Sequence, residues 1–269
     1  LILTRISQRF NELRAKNEPA LIAYVTAGDP LPEMTVDIVN ALIRGGADVI
    51  ELGVPFSDPI ADGPVIMRAS ERALAAGMTV EKVLGVAQQL RATTDVPIVL
   101  FTYLNPVMRY GFDKLAARAK QAGIDGFLLT DLSVEEAESF VAAVKAQDLD
   151  TVFLVAPTST DRRLELVAKY CSGFVYVVSR TGVTGEQAQV SAGVKPLVEK
   201  LRRFTDLPLG VGFGIANADQ AAEVGSVADG VVVGSAFVRA IETTPAAEVL
   251  DRIERMARDL KQGAVRGRG

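Results

Sequence analysis

Gly46-Ala47-Asp48-Val49-Ile50-Glu51 reads as one helix ending and a buried strand beginning, and the pattern recurs. Gly123-Ile124-Asp125-Gly126-Phe127-Leu128 and Val227-Ala228-Asp229-Gly230-Val231-Val232 share its Asp at the head of an apolar run. A second pair, Thr94-Asp95-Val96-Pro97 and Thr205-Asp206-Leu207-Pro208, introduces two further strands. Working outward, strands are expected over 21–26, 49–52, 97–103, 126–130, 151–156, 174–178, 209–212 and 231–233. These runs are rich in Val, Ile and Leu with little alternation, as parallel strands covered on both faces should be. Helical periodicity fills the intervals at 33–44, 80–93, 113–122, 135–146, 161–170, 195–204, 219–224 and 246–261. Eight strands, each followed by a helix, predict an α/β fold, a single-domain (β/α)8 TIM barrel over 1–269. Residues 1–16 are expected to add an N-terminal amphipathic helix, and 262–269, rich in Gly and Arg, a frayed tail.

Composition narrows the chemistry. Hydrophobic residues make up 49% of the chain and aromatics only 6%, so the core must rest on Val, Leu, Ile and Ala. Net charge is −4, with no basic stripe, which argues against nucleic acid or an anionic membrane as partner. Leu1-Ile2-Leu3-Thr4-Arg5 lacks the long apolar core of a secretion signal, and no window has the apolar length of a membrane span. Cys171 is the only cysteine, so no intramolecular disulfide can form and a cytoplasmic location is expected. Its own reading is a small buried hydrophobe at a helix end. There is no histidine. With one Cys and no His, neither a His/Cys zinc site nor a Ser–His or Cys–His nucleophile can be assembled. No metal site is expected. No lysine stands at an expected strand end for a Schiff base, and no nucleotide-binding glycine motif follows a strand.

In a barrel of this kind the chemistry gathers at the C-terminal ends of the strands. Strand two ends at Glu51, inside an apolar run and ahead of Leu-Gly-Val-Pro-Phe-Ser-Asp-Pro-Ile-Ala-Asp-Gly-Pro, residues 52–64. A carboxyl group in apolar surroundings has its pKa raised unless it is paired, which fits it for acid–base work near neutral pH. The alternative is a structural Glu paired with an Arg. Asp62 precedes Gly and Asp58 precedes Pro, so on spacing alone both read as turn residues. Asp131 reads as structural, ahead of a Ser133–Glu136 pair with capping-box spacing. Tyr24, Tyr103 and Tyr176 fall on three strands and could line an aromatic-binding mouth or fill the core. Strands seven and eight end in Gly212-Phe213-Gly214 and Gly234-Ser235, the usual phosphate end of a barrel, with a short helix expected over 236–241 and Gly185 offering a third approach. The residues therefore point to carboxylate acid–base chemistry on a phosphorylated ligand.

The motifs at 24–30, 51–64, 103–107, 174–185, 212–215 and 230–235 together make the chain resemble the tryptophan synthase alpha subunits along essentially its whole length. The resemblance implies cleavage of indole-3-glycerol phosphate to indole and glyceraldehyde 3-phosphate, with Glu51 as acid–base group and Asp62 on the indole N–H. It implies Tyr24, Phe101, Tyr103, Tyr176 and a lid residue Thr184 around the indole, and Gly185, Gly214, Gly234 and Ser235 around the phosphate. Residues 53–62 and 179–190 would be mobile loops, the first meeting a partner through Asp58. That partner would be a beta subunit in an alpha2beta2 heterotetramer, receiving the indole and carrying the pyridoxal phosphate, with no cofactor in this chain. One departure is Ser133, where many relatives have Pro. A stand-alone lyase that releases free indole would share these catalytic residues, whereas the retention of both Glu51 and Asp62 speaks against a non-catalytic activating subunit.

Overall fold

The structure, a computed structural model, describes residues 3–178, 193–212 and 214–269. The order is α1 (Arg5–Ala15), β1 (Ala20–Thr26), α2 (Thr35–Arg44), β2 (Val49–Gly53), α3 (Pro64–Ala75), α4 (Val80–Arg91) and β3 (Ile98–Thr102). Next come α5 (Leu104–Tyr110), α6 (Phe112–Ala122), β4 (Gly126–Leu129), α7 (Glu138–Lys145), β5 (Asp150–Val155) and α8 (Asp161–Tyr170). The chain closes with β6 (Val175–Val178), α9 (Val194–Leu201), β7 (Leu209–Gly212), α10 (Ala218–Gly225), β8 (Gly230–Val233), α11 (Ser235–Thr243) and α12 (Val249–Arg266). All strands pair in parallel and in sequence order, and β8 returns to β1 to close the barrel. The expected TIM barrel with its N-terminal helix is therefore the observed fold.

Alternation along each strand sorts side chains between two apolar compartments. Ile22, Val49, Val99, Leu128, Val152 and Phe174 fill the barrel interior, whereas Leu21, Val25, Ile50, Leu52 and Leu100 pack into the layer beneath the helices. Both faces are dry, so the strands show no polar alternation. The N-terminal mouth is plugged by α1, which Thr4 caps by accepting a hydrogen bond from Ser7 N at 3.2 Å. Ile6, Phe10 and Leu13 of α1 are buried against the interior residues, and the Phe10 and Phe174 rings lie 5.8 Å apart. Each such side chain stabilises the fold by roughly 1.5–3 kcal/mol. The opposite, C-terminal mouth is left uncovered by α1.

The recurring Asp has a structural cause. Asp48 Oδ2 accepts from Leu21 N, Asp125 Oδ2 from Ile98 N and Asp229 Oδ2 from Leu209 N, each at 2.8 Å. Each Asp stands just ahead of an even-numbered strand and ties down the start of the odd-numbered strand before it. Between β5 and β6 Ser172 takes this place, with its hydroxyl accepting from Thr151 N at 3.1 Å and donating to Asp150. The carboxylates, buried in Asp48 and Asp125 and half-buried in Asp229, are balanced by cations: Asp48 by Arg9 and Lys261, Asp125 by Arg5 and Arg91, Asp229 by Arg202. The sequence echoes are thus a row of ion-paired staples around the N-terminal rim.

Three expectations need correction. The tail is not frayed: α12 continues to Arg266, Ala264 is buried, and Arg268 donates to the Ala228 carbonyl. Its glycines are contact points, since a Cβ on Gly263 would lie 2.3 Å from the Ala218 carbonyl oxygen where α12 crosses α10. Two helices, α3 and α5, occupy stretches in which no helix was expected. The Ser133–Glu136 capping box is not formed; Ser133 bonds to Glu135, a 3-10 turn covers Val134–Glu136, and α7 starts only at Glu138. Cys171 is buried at the end of α8 and donates to the Phe174 carbonyl at 2.9 Å, its thiol pushed up to about 12 by burial. Among the described residues no helix is long and apolar enough to cross a membrane.

Candidate active site

Glu51 occupies an inward position near the end of β2, level with Tyr24 on β1 and Val99 on β3. It is only 1% exposed, and neither carboxylate oxygen has a hydrogen-bond partner among the described residues. An Arg pairing at Glu51 is therefore not what the described residues provide. Desolvation by burial pushes this carboxyl up to about 8, so at neutral pH it holds a proton.

Asp62 arrives differently. A turn in which Asp62 N donates to the Pro59 carbonyl at 3.0 Å brings it in just before Gly63 and Pro64 start α3. Its side chain accepts from the Tyr103 hydroxyl at 2.9 Å, and that hydroxyl accepts from Ala61 N at 3.1 Å. Burial raises Asp62 to about 6, although the Tyr103 bond opposes the rise. The two carboxyls are thus separated by environment: Glu51 stays protonated in conditions where Asp62 is charged.

Both carboxyls open into one cavity at the C-terminal mouth, lined also by Tyr24, Phe101, Tyr176, Gly214, Gly234 and Ser235. Tyr24 packs edge-on against Phe101 with centroids 4.9 Å apart, and its hydroxyl meets that of Thr26 at 3.1 Å. The Tyr176 ring has room because β7 passes it with glycine; a Cβ on Gly212 would sit 2.6 Å from the Tyr176 hydroxyl. Gly214 has φ +85°, a conformation that excludes most side chains. Gly234 leads into α11 with no side-chain cap, which leaves the first N–H groups of the helix without a side-chain acceptor, and Gly234 and Ser235 both line the cavity. The lining therefore combines apolar and aromatic side chains with two carboxyls, two glycines and Ser235.

Other expected residues fall elsewhere. Tyr103 stands behind Asp62 as its hydrogen-bond partner, with its ring 5.2 Å from that of Phe56. Asp58 is exposed on the loop after β2, bonded to Ser57, next to Ile60 at 78% exposure. Asp131 accepts from Leu104 N at 2.7 Å and holds the start of α5, a structural role. Thr184 and Gly185, and the whole of 179–190, lie outside the described residues.

The sequence profile of the tryptophan synthase alpha chain family matches residues 10–265. The chain belongs to that family. The tryptophan synthase alpha chain of Solibacter usitatus is 61% identical over 262 residues, covering 97% of this chain and 98% of the relative. That of Methanosarcina mazei is 50% identical over 260 residues, covering 96% and 94%. Among solved structures, Mycobacterium tuberculosis tryptophan synthase superposes with a TM-score of 0.90 at 39% identity, covering 97% of this chain and 98% of that one. Tryptophan synthase subunit alpha of Legionella pneumophila superposes at 0.89 with 36% identity and coverage of 97% and 98%.

Within this alpha-chain barrel, the cavity is also lined by Ile66, Thr130, Leu154, Ile215 and Val232, none of which sequence reasoning singled out. Thr130, Leu154 and Val232 continue the inward alternation of β4, β5 and β8, and that register was the available signal. Ile66 lies on α3, which had not been expected.

Proposed function

We propose that this cavity cleaves indole-3-glycerol phosphate, with Glu51 as the proton-transferring group and Asp62 as the partner of the indole N–H. Membership of the tryptophan synthase alpha chain family makes the chain a carbon–carbon lyase acting on this substrate. The observation that carries the residue roles is the buried Glu51 carboxyl, without a hydrogen-bond partner among the described residues, facing the same cavity as Asp62.

Cleavage runs as a retro-aldol. Protonated Glu51 donates to indole C3, and the positive charge that develops on the ring nitrogen is met by the Asp62 carboxylate. The Glu51 carboxylate then takes the proton of the hydroxyl on the adjoining carbon. The C3–carbon bond breaks, its electron pair restores the aromatic indole, and the hydroxyl carbon leaves as the aldehyde of glyceraldehyde 3-phosphate. Glu51 ends protonated, so the proton count closes within one turnover. General acid–base catalysis supplies roughly 10²–10⁴-fold. Positioning between Tyr24, Phe101 and Tyr176, and anion binding by Gly214, Gly234 and Ser235, support the remainder.

The indole passes to a beta subunit, which holds the pyridoxal phosphate, within an alpha2beta2 assembly in the cytoplasm. Support for the docking side comes from Asp58 and Ile60 beside the cavity mouth, and from Met108 of α5 at 61% exposure. An indole-release assay with indole-3-glycerol phosphate, with and without a stoichiometric beta subunit, tests the reading. Indole should appear with the chain alone and faster with the partner; no indole under either condition would reject it.

A further inference from the structure

Helices α3 and α11 follow β2 and β8, the two strands that flank β1. The first is entered through Asp62; the second starts at Ser235, which also lines the cavity. Their apolar seam is formed by Val65, Ile66 and Ala69 against Val238. Alongside it runs a polar lock. Arg72 grips Asp29 through two nitrogens, at 2.7 and 3.2 Å, and reaches Glu242 with a third at 2.9 Å. Arg68, one turn earlier on α3, holds the same Glu242 in a fork at 2.7 and 2.8 Å. Asp29 belongs to the loop after β1, and its side chain is 1% exposed. The lock therefore joins three neighbouring elements at the catalytic rim, unlike the Asp48, Asp125 and Asp229 staples at the opposite end.

We infer that Arg72, with Asp29 and Glu242, is a positioning clamp that fixes the span between the anion-holding start of α11 and the Asp62 carboxylate, so that one substrate is gripped at both ends at once. The inference rests on the reaction proposed for the cavity. A fork-shaped guanidinium bound to two carboxylates sets both distance and angle, which a lysine at the same place cannot do. Fixing the span matters because the indole and the phosphate are linked by a short chain. A misfit of about 1 Å at such a site can cost on the order of 10²-fold in rate.

The test compares linked and unlinked ligands in the full chain carrying Arg72→Lys or Glu242→Gln. Indole alone and sn-glycerol 3-phosphate alone each touch one end, so their affinities should equal those of the wild type. A probe in which indole is joined to phosphate by a plain three-carbon chain lacks the hydroxyl and cannot be cleaved; it must satisfy both ends. Its affinity, and kcat/KM for indole-3-glycerol phosphate, should fall roughly 10- to 100-fold in both variants. Unchanged binding of the linked probe would overturn the clamp, as would fragment affinities that fall as far as that of the probe. Should Glu242→Gln fail to fold, Arg72→Lys and Arg68→Gln carry the same comparison. Because probe binding needs no turnover, it is read even if the wild type released no indole, and the two failures are told apart.

Discussion

Glu51 and Asp62 are both carboxyls near the end of the same barrel mouth, yet their surroundings give them opposite protonation at neutral pH. kcat/KM should rise through about pH 6 as Asp62 ionises and fall through about pH 8 as Glu51 loses its proton. The Tyr103 hydroxyl lowers the Asp62 pKa, so Tyr103→Phe should move the acid limb of the kcat/KM profile to higher pH and leave the basic limb in place. An unmoved acid limb would remove Tyr103 from that role. Asp62→Asn keeps shape but removes the charge that meets the indolium, and should cut kcat by roughly 10²-fold or more in the indole-release assay. Glu51 could be singled out in the sequence because an acid inside an apolar run is chemically anomalous. Leu154, Val232 and Ile66 carry no such signature; they are ordinary apolar residues whose inward direction depends on barrel register or on a helix.

At the scale of elements, Asp125 shows how a recurring residue can be structural. It is buried, ties down Ile98 N and neutralises Arg91, which burial would otherwise penalise. Asp125→Ala leaves that guanidinium uncompensated and should destabilise the fold by about 3–5 kcal/mol in urea titration. Since it lies at the rim away from the cavity, kcat/KM at low temperature should stay at the wild-type level. A stable variant, or one that is inactive while folded, would contradict this. Gly263→Val should likewise lower Tm sharply, because the new Cβ meets the Ala218 carbonyl. Strands were legible from their compositional runs and from the echoes that introduce them. Helix α3 was hidden by the Pro/Gly-rich loop ahead of it, although Pro64 stands at the first helical position, where proline is favoured. The tail misled because Gly and Arg read as loosening, whereas here glycine permits close helix contact and Arg268 ends on a carbonyl.

For the whole molecule, α1 closes one barrel mouth and leaves the other to a cavity lined by apolar and aromatic side chains and two carboxyls. This division follows from strand direction: a parallel barrel collects every strand-to-helix connection at one rim, and so brings residues from 24 to 235 into one space. That convergence was legible once the strands were placed, because the strand ends could be listed in order. In this mechanism Glu51 moves the proton. The most direct test is indole release from saturating indole-3-glycerol phosphate by wild type and Glu51→Gln, with binding of the uncleavable indole–phosphate probe measured alongside. The variant should bind the probe as the wild type does while release falls by roughly 10²–10⁴-fold; substantial release with binding intact would contradict the account.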